Sequence, residues 1–297
     1  MKSGFIAIIG RPNVGKSSLM NALVGEKVSI VSPRSQTTRD RIMGIRTTDE
    51  YQMIFLDTPG VHDPKTLLGE QMNRAAAGAD GEADAVVVVL DGSKKLTGAD
   101  TDFIERHLTS AKPVYVVVNK TDLVGYDKIY PLLARLSYLT APADGRAAVK
   151  EIIPTSCRTG KNIDVLLDYL EQELTDGNLY FPEDDITDKS ERFMVCEIIR
   201  EKALLFLQDE IPHGIGVYIQ SMQEEPNLVR IEADIVCEKA SHKPIIIGAD
   251  GGKLKQIGES ARAAVEKLLD KHVYLKLFVK VRENWRDRRN VIDDLKN

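Results

Sequence analysis

The sequence feature that most constrains the fold is a glycine-framed octet near the amino terminus, GRPNVGKS at residues 10–17. An apolar run ending at Ile9 precedes the octet and indicates a buried strand, and residues 18–23 indicate the start of a helix. In this setting the pattern predicts a phosphate-binding loop, because backbone N–H groups and the positive end of the helix converge on an anion. An ordinary glycine-rich turn is the disfavoured alternative, so the sequence predicts a nucleoside triphosphate site.

The residue types within the octet suit contacts to phosphate and metal. Gly10 and Gly15 let the backbone turn and approach closely, because no Cβ intervenes. Lys16 is expected to reach the β- and γ-phosphates, and the hydroxyl of Ser17 is expected to take one Mg²⁺ position. The predicted phosphate contacts are Gly10, Arg11, Pro12, Asn13, Val14, Gly15, Lys16, Ser17 and Ser18.

A polar stretch at residues 36–40 (QTTRD) is either a surface loop or a switch segment. As a switch it closes over Mg²⁺ and the γ-phosphate and opens after hydrolysis. We favour the switch, with Thr38 as the ligand and Thr37 as the alternative, because only spacing separates the two. The predicted metal ligands are Ser17, Thr38 and Asp57.

A third motif, DTPG at residues 57–60, follows an apolar strand over 51–56. A carboxylate at the tip of a buried strand can hold Mg²⁺ through water, and the N–H of Gly60 can reach the γ-phosphate. Many hydrolases with such a loop have a glutamine next, which orients the attacking water, but this chain has Val61. His62 could take over that role. We favour the alternative, in which His62 is an exposed loop residue without a function. We therefore expect slow hydrolysis. The predicted contacts are Asp57, Thr58, Pro59 and Gly60.

The tetrad NKTD at residues 119–122 follows an apolar strand over 114–118 and selects the base. The carboxylate of Asp122 can accept hydrogen bonds from N1–H and the exocyclic amine of guanine, and adenine offers neither donor. Asn119 is expected to brace the loop, and the stem of Lys120 is expected to cover the base. The tetrad therefore predicts guanine as the base and disfavours an ATP-dependent kinase.

Alternating strands and helices predict a mostly parallel sheet with helices on both faces. Strands are expected at 4–9, 42–48, 51–56, 85–90, 114–118 and 152–157, and helices at 97–109, 125–140 and 162–174. The last strand ends at Ser156 and Cys157, where a backbone N–H is expected near guanine O6. Ligands of such sheets bind at the carboxyl ends of the strands, where all the motifs lie.

Composition sets broad limits on the class of protein. The 297 residues suit about two domains, and no apolar run is long enough to span a bilayer or to act as a signal peptide. Three widely spaced cysteines disfavour zinc and disulfides and favour a reducing cytoplasm. Residues 239–297 contain 14 Lys and Arg against 8 Asp and Glu, although the whole chain has a net charge of −5. A basic end on an acidic body hints at an anionic partner.

The sequence predicts a GTPase-type domain at 1–174, a linker at 175–190 and a second domain at 191–297. In the second domain helices are expected at 192–207, 252–270 and 284–295, and strands at 216–222, 228–237 and 273–281. GADG at 248–251 opens a helix, which is how KH domains clamp the backbone of single-stranded RNA. The isoleucine run at 245–247 suggests a strand by composition, whereas a KH fold makes it a short helix.

Over nearly its whole length the sequence resembles the Era-type bacterial GTPases, in which a GTPase domain precedes a type II KH domain. The segments that carry the resemblance are 10–17, 37–39, 57–60, 119–122, 156–157, 247–251 and 281–285. The resemblance implies GTP hydrolysis coupled to binding of small-subunit ribosomal RNA during small-subunit assembly. It also implies GTP/GDP and Mg²⁺ as ligands and a hydrophobic residue at position 61.

The resemblance carries further expectations about catalysis and location. Asn13 is expected to help hold a K⁺ ion that substitutes for an arginine finger. Equal hydrolysis rates in K⁺ and Na⁺ buffers would count against that role. The expected catalytic residues are Asn13, Lys16, Thr38 and Gly60. We expect a cytoplasmic monomer that associates loosely with the inner face of the membrane.

Two positions depart from the family pattern. Cys157 replaces a usual alanine, which is tolerable because the backbone N–H makes the contact. Asp250 lies where a basic residue is usual, and its charge opposes RNA phosphate. The predicted RNA contacts are Gly248, Gly251, Lys253, Lys255, Arg282 and Arg286, with Arg288 and Arg289 as further compensating cations. The alternative is a GTPase whose second domain, because of Asp250, binds protein or membrane rather than RNA.

Overall fold

The structure is a computed structural model that describes residues 1–32, 34, 37–59, 66–76, 79–108, 112–140, 149–207 and 214–294. The chain forms two compact units. The first consists of the described residues of Met1–Val31, Thr38–His62 and Met72–Asp188. The second consists of the described residues of Ser32–Thr37, Asp63–Gln71 and Lys189–Asn297.

The first unit is built on a sheet whose strands alternate with helices along the chain. Its strands are β1 (Lys2–Ile9), β2 (Ile42–Thr47), β3 (Tyr51–Asp57), β4 (Ala85–Asp91), β5 (Val114–Asn119), β6 (Glu151–Pro154) and β7 (Thr175–Asp176). Its helices are α1 (Lys16–Val24), α2 (Leu67–Ala76), α3 (Ala79–Glu82), α4 (Gly98–Leu108), α5 (Tyr126–Leu139) and α6 (Ile163–Glu171), although the first residues of α2 cluster with the second unit.

The sheet has the strand order β2-β3-β1-β4-β5-β6, and neighbours from β3 to β6 run parallel. Among the described strands of this sheet, only β2, beside β3, and β7, beside the start of β1, run antiparallel. The central strands are buried on both faces, which explains their nearly continuous Val and Ile runs. This register brings the loops after β1, β3, β5 and β6 to one edge of the sheet.

The sequence predicted most of these elements but missed three. No helix was expected at α2 or α3, and no strand was expected at β7, which lies inside the predicted linker. Residues of that segment bind the first sheet directly. The backbone N–H groups of Tyr180 and Phe181 donate to Oε1 of Gln52 at 2.8 and 3.1 Å, and Met43 N–H donates to Asp188 at 2.8 Å. Residues 175–188 accordingly cluster with the first unit.

The second unit contains a three-stranded sheet packed against helices. Its elements are α7 (Glu191–Phe206), β8 (Gly216–Glu225), β9 (Leu228–Cys237), α8 (His242–Ile247), α9 (Gly252–Leu269), β10 (His272–Val281) and α10 (Arg289–Asp294). The sheet order is β10-β9-β8, with β9 parallel to β10 and antiparallel to β8. This α-β-β-α-α-β order is that of a type II KH domain.

The isoleucine run at 245–247 is helical, as the KH alternative requires, and not a strand. Only Ile246 of the three is buried, because a helix turns its neighbours away from the core. The final predicted helix over 284–295 is instead a short 3₁₀ turn at Trp285–Asp287 followed by α10. Trp285 is buried, and its indole N–H donates to the carbonyl of Gly214 at 2.9 Å. In the described part of the chain no helix is long and apolar enough to cross a bilayer.

Candidate functional site

The phosphate-binding loop runs from the end of β1 to the start of α1. Gly15 precedes α1 with a left-handed backbone, φ 103°. A Cβ at Gly15 would come within 2.3 Å of Nδ2 of Asn119, so this close approach requires glycine. Asn119 donates from the same nitrogen to the carbonyl of Val14 at 3.2 Å. The loop is therefore held by the end of β5 as well as by its own strand and helix.

Lys16 is buried beside this loop. Its Nζ donates to the carbonyl of Gly10 at 3.0 Å and to that of Arg11 at 3.2 Å. Burial lowers the pKa of Lys16, and the nearby carboxylate of Asp57 opposes the shift. Burial likewise raises the pKa of Asp57, and Lys16 and three hydroxyl groups oppose that shift. Lys16 and Asp57 thus lie together in a buried site, where electrostatic interactions are stronger than in water.

Three hydroxyl groups surround the carboxylate of Asp57. Its Oδ2 accepts hydrogen bonds from Ser17 at 2.7 Å, from Ser29 at 3.2 Å and from Thr38 at 3.4 Å. The hydroxyl oxygens of Ser17 and Thr38 are 2.9 Å apart. Oδ1 of Asp57 is buried, and among the described residues it has no hydrogen-bond partner. An unpartnered carboxylate oxygen inside a protein is costly, and a bound cation would satisfy it.

This cluster fits Mg²⁺, which prefers oxygen ligands and is held by few protein groups. The predicted ligands Ser17, Thr38 and Asp57 are brought together in it. The hydroxyl of Thr37 donates instead to the carbonyl of Arg34 at 2.7 Å, so Thr38 supplies the threonine hydroxyl of the cluster. Within the described residues, His, Cys, Asp and Glu side chains form no group of three suited to a metal.

Two predicted loop residues are engaged elsewhere through their side chains or backbone. The guanidinium of Arg11 pairs with Asp100 on α4 at 3.1 Å and donates to Thr97 at 3.3 Å. Asn13 has a left-handed backbone, φ 64°, and its carbonyl accepts a hydrogen bond from Nζ of Lys120 at 2.6 Å. These contacts fix the outer part of the loop from two sides.

The segment after β3 is described only as far as Pro59. Thr58 is buried, and its hydroxyl donates to the carbonyl of Ile8 on β1 at 3.4 Å. That bond anchors the beginning of the segment to the neighbouring strand. Gly60, a predicted catalytic residue, lies outside the described residues, as do Val61 and His62.

The predicted base-recognition loop is tied to the phosphate loop by its lysine. Besides its bond to Asn13, Nζ of Lys120 pairs with Oδ2 of Asp91 at 2.8 Å. Lys120 also has a left-handed backbone, φ 65°, at the turn after β5. Asp91 ends β4, and its pairing with Lys120 was not predicted, because the two residues meet only when the parallel strands align.

Asp122 is held by two side chains from the turn after β6. Ser156, which is fully buried, donates from Oγ to Oδ1 at 2.6 Å. Arg158 pairs with Oδ2 through Nη2 at 2.6 Å. The backbone N–H of Cys157 donates to Oδ1 of Asn119 at 3.3 Å, which joins the two predicted guanine segments. Burial raises the pKa of the Cys157 thiol to about 12, so the side chain is neutral.

In the second unit a glycine-framed loop separates α8 from α9. Gly248 has φ 76° and ψ 175°, and a Cβ there would come within 2.7 Å of Cβ of Lys253. Gly251 and Asp250 also have positive φ, which turns the chain sharply into α9. The predicted RNA contacts Gly248, Gly251 and Lys253 are thus neighbours in a tight turn, and Lys255 follows in the first turn of α9.

A cavity of about 510 Å³ lies beside this turn, between α9 and β10. Its lining includes the apolar Leu254 and Leu277, the cations Lys255, Arg262 and Lys276, and one carboxylate, Glu259, so it combines apolar walls with mainly positive charge. Arg262 was not among the predicted contacts. Arg286, which was a predicted contact, is not among the residues that line the cavity; its Nη2 pairs with Oε2 of Glu238 at 2.5 Å.

Comparison with known proteins agrees with this geometry. A family model described as "50S ribosome-binding GTPase" matches residues 5–120, and a KH domain model matches residues 210–286. The chain is 46% identical to GTPase Era of Clostridium acetobutylicum, over 99% of this chain and 97% of that protein. GTPase Era of Clostridium botulinum strain Okra is also 46% identical, with the same coverage.

The chain belongs to the Era family of GTPases. It therefore hydrolyses GTP, and the prediction of a GTPase domain followed by a KH domain is confirmed. Two solved structures of Era proteins match this Era-family chain with a TM-score of 0.92 and 38% identity. One is an Aquifex aeolicus Era variant bound to GDP·AlF₄⁻, with 99% of both chains covered. The other is an Era in complex with MgGDPNP and nucleotides 1506–1542 of 16S ribosomal RNA, with 99% and 98% covered.

Proposed function

We propose that this chain is a GTP-switched factor that binds small-subunit ribosomal RNA through its KH domain and acts in assembly of the small ribosomal subunit. The observation that carries the proposal is the presence, in one Era-family chain, of a hydroxyl-lined nucleotide site and a glycine-framed KH turn with a cation-lined cavity. An Era with both domains binds MgGDPNP and 16S ribosomal RNA together, over nearly the same length of chain.

In the proposed nucleotide site Lys16 and the loop amides neutralise phosphate charge. Asp122 accepts the paired N–H donors of guanine, and Asn119 links the base segment to the phosphate loop. Ser17, Thr38 and Asp57 would hold Mg²⁺, which when bound neutralises charge on the β- and γ-phosphate oxygens. These residues contribute positioning and charge stabilisation, the main sources of catalysis in phosphoryl transfer.

Slow intrinsic turnover is part of the proposal, because an apolar valine stands where a glutamine would orient water. We retain Asn13 as the residue that would help hold K⁺. Its left-handed backbone and the bond from Lys120 to its carbonyl keep its position fixed. Measuring hydrolysis in K⁺ and in Na⁺ buffers tests this role, since equal rates would remove it.

In the proposed RNA site the turn at Gly248 lets the backbone of the nucleic acid approach closely. Lys255 and Arg262 supply positive charge at the cavity, and Lys253 adds to it from the first turn of α9, where phosphates would lie. The proposal also includes a cytoplasmic monomer with loose contact to the inner face of the membrane. Co-sedimentation with vesicles of anionic lipid and analytical ultracentrifugation test those two properties.

The test of RNA binding is fluorescence anisotropy with a labelled 3′ fragment of 16S ribosomal RNA and the full chain, loaded with GDP or GDPNP. We expect the affinity to depend on the nucleotide. The double variant Lys253→Ala/Lys255→Ala should bind RNA more weakly. The slope of log K against log salt concentration should become shallower by about 0.7 for each phosphate that the variant no longer neutralises. Lys267→Ala, in the last turn of the same helix, is the matched control.

The outcome also separates the proposal from its rival. RNA binding that is undetectable in both nucleotide states would contradict it. Binding of vesicles or of another protein in place of RNA would favour the alternative, a GTPase whose second domain does not bind RNA.

A further inference from the structure

The carboxylate that is proposed to read guanine has a second partner on its own chain. Oδ2 of Asp122 lies 2.6 Å from Nη2 of Arg158, while Oδ1 is bound by Ser156 at 2.6 Å. The side chain of Asp122 is 11% exposed and that of Arg158 is 69% exposed. One oxygen is therefore fixed by a buried hydroxyl, and the other is paired with a cation that reaches it from solvent.

The two partners that Oδ2 can take are chemically alike. Guanine presents N1–H and its exocyclic amine side by side, and a guanidinium presents parallel N–H donors in a planar fork. Both groups match the two oxygens of a carboxylate, and the arginine adds a full positive charge. Arg158 and guanine are thus alternative occupants of the same acceptor.

The turn that carries Arg158 is held by backbone hydrogen bonds of its neighbours, while the side chain of Arg158 is largely exposed. The N–H of Cys157 is bound by Asn119, and the N–H of Thr159 donates to the carbonyl of Ser156 at 3.2 Å. Ser156 N–H also donates to the carbonyl of Lys161 at 3.2 Å. The turn therefore presents the arginine next to Asp122, and a movement of the side chain alone would free the carboxylate for the base.

We propose that the guanidinium of Arg158 competes with guanine for the carboxylate of Asp122 and so lowers the affinity for GDP and GTP alike. The inference rests on the proposed role of Asp122. Because the competition concerns only the base, it does not distinguish the two nucleotides by their phosphates. It limits how tightly product GDP is held and favours its exchange.

The test is titration of fluorescently labelled GDP and GDPNP into the full chain and into Arg158→Met, which keeps the apolar stem and removes the charge. We expect both dissociation constants to fall by about two- to fivefold, the range that exposed ion pairs support. The dissociation constants of Arg158→Lys should lie between those of the wild type and Arg158→Met, because an ammonium keeps the charge but cannot form two parallel hydrogen bonds with the carboxylate. Arg135→Met, on the exposed side of α5, removes the same charge and should change neither constant. Unchanged or weaker binding by Arg158→Met would overturn the proposal.

Asp122→Asn separates this inference from the assignment on which it rests. An amide can donate to the C2 carbonyl of xanthine, so this variant should prefer XDP to GDP. In that background Arg158→Met should no longer tighten binding, because the charged pair is gone. Failure of Asp122→Asn to change base preference would reject the role of Asp122 itself. A changed preference together with an Arg158→Met effect that persists would reject only the competition.

Discussion

The chain uses a glycine-framed loop before a helix twice, and the two loops differ in what supports them. The loop before α1 is bound by residues far away in sequence, such as Asn119 and Lys120. The turn before α9 is closed by near neighbours: Gly248 N–H donates to Pro244 at 2.8 Å, and Gly251 N–H donates to Gly248 at 3.3 Å. The first is a site assembled by the fold, and the second is a local turn presented by one helix pair.

This difference matches the ligands proposed for the two loops. A nucleotide has one base and a short phosphate chain, and its selection requires several groups fixed relative to one another. An RNA backbone repeats the same phosphate, and a clamp for it needs close approach and charge more than long-range geometry. Substitutions in the first loop should therefore have larger effects than substitutions in the second.

The largest expected effect is that of Gly15→Ala. The added Cβ would meet Nδ2 of Asn119 at 2.3 Å on a backbone with φ 103°, so the buried side chain of Asn119 or the loop must shift and the backbone is strained. We expect the affinity for GDP to fall by about 100-fold, equivalent to about 2.7 kcal/mol. Fluorescence titration measures it. Gly98→Ala, where a Cβ meets no atom of the described residues within 4 Å, is the control.

The matching substitution in the second loop sharpens the comparison. Gly248→Ala would place its Cβ against Lys253, a neighbour in the same turn. It should weaken RNA binding and leave GDP affinity unchanged. A loss of GDP affinity as large as that of Gly15→Ala would show that the two loops are not supported independently.

The next prediction concerns the buried carboxylate of Asp57 in nucleotide-free and metal-free protein. Burial raises its folded pKa above the unfolded value of about 3.9. Between those two values the folded state binds more protons than the unfolded state, so the free energy of unfolding falls as the pH rises. The loss reaches about 1.4 kcal/mol for each unit by which the pKa is raised. Denaturant unfolding from pH 4 to 7 measures it.

Asp57→Asn provides the reference for that measurement, because an amide does not titrate. The wild-type curve should fall more steeply than that of the variant as the pH rises above about 4. Parallel curves for the two proteins would contradict the buried, proton-binding carboxylate that the structure describes.

The sequence predicted contacts among the residues of its motifs, but it did not predict contacts of residues outside them that only the folded chain brings together. Ser17, Thr38 and Asp57 were predicted as one metal set from the motifs, and the fold brings them together. Ser29 joins the same carboxylate without belonging to any motif, and no sequence spacing could have indicated it. Likewise Arg158 meets Asp122 only because β5 and β6 are neighbours in the sheet.

Local ambiguity accounts for the other differences. The isoleucine run at 245–247 has strand composition but is helical, because tertiary packing outweighs the propensity of three residues. The short strand β7 has two residues, too few for any periodicity to be visible. Composition alone could not locate either element.

A smaller effect is expected from Asp250→Lys in the second loop. The change removes a carboxylate from the turn and adds a cation where phosphate is proposed to lie. We expect RNA affinity to rise by about three- to tenfold at low salt. The slope of log K against log salt concentration should become steeper by about 0.7. Anisotropy over a salt series measures both. Glu26→Lys makes the same change of net charge on an exposed residue of the first unit and should leave the salt dependence unaltered.

The smallest effect is expected from Cys157→Ala, although the residue lies in the most heavily supported part of the nucleotide site. Its contact with Asn119 is made by the backbone N–H, which alanine keeps. The thiol has a pKa of about 12 because it is buried, so it brings no charge that the substitution could remove. GDP affinity should therefore change by less than about twofold, within the range typical of substitutions that break no named interaction. A tenfold loss in calorimetry would contradict this prediction and would mean that the side chain of Cys157, and not only its backbone N–H, supports the nucleotide site.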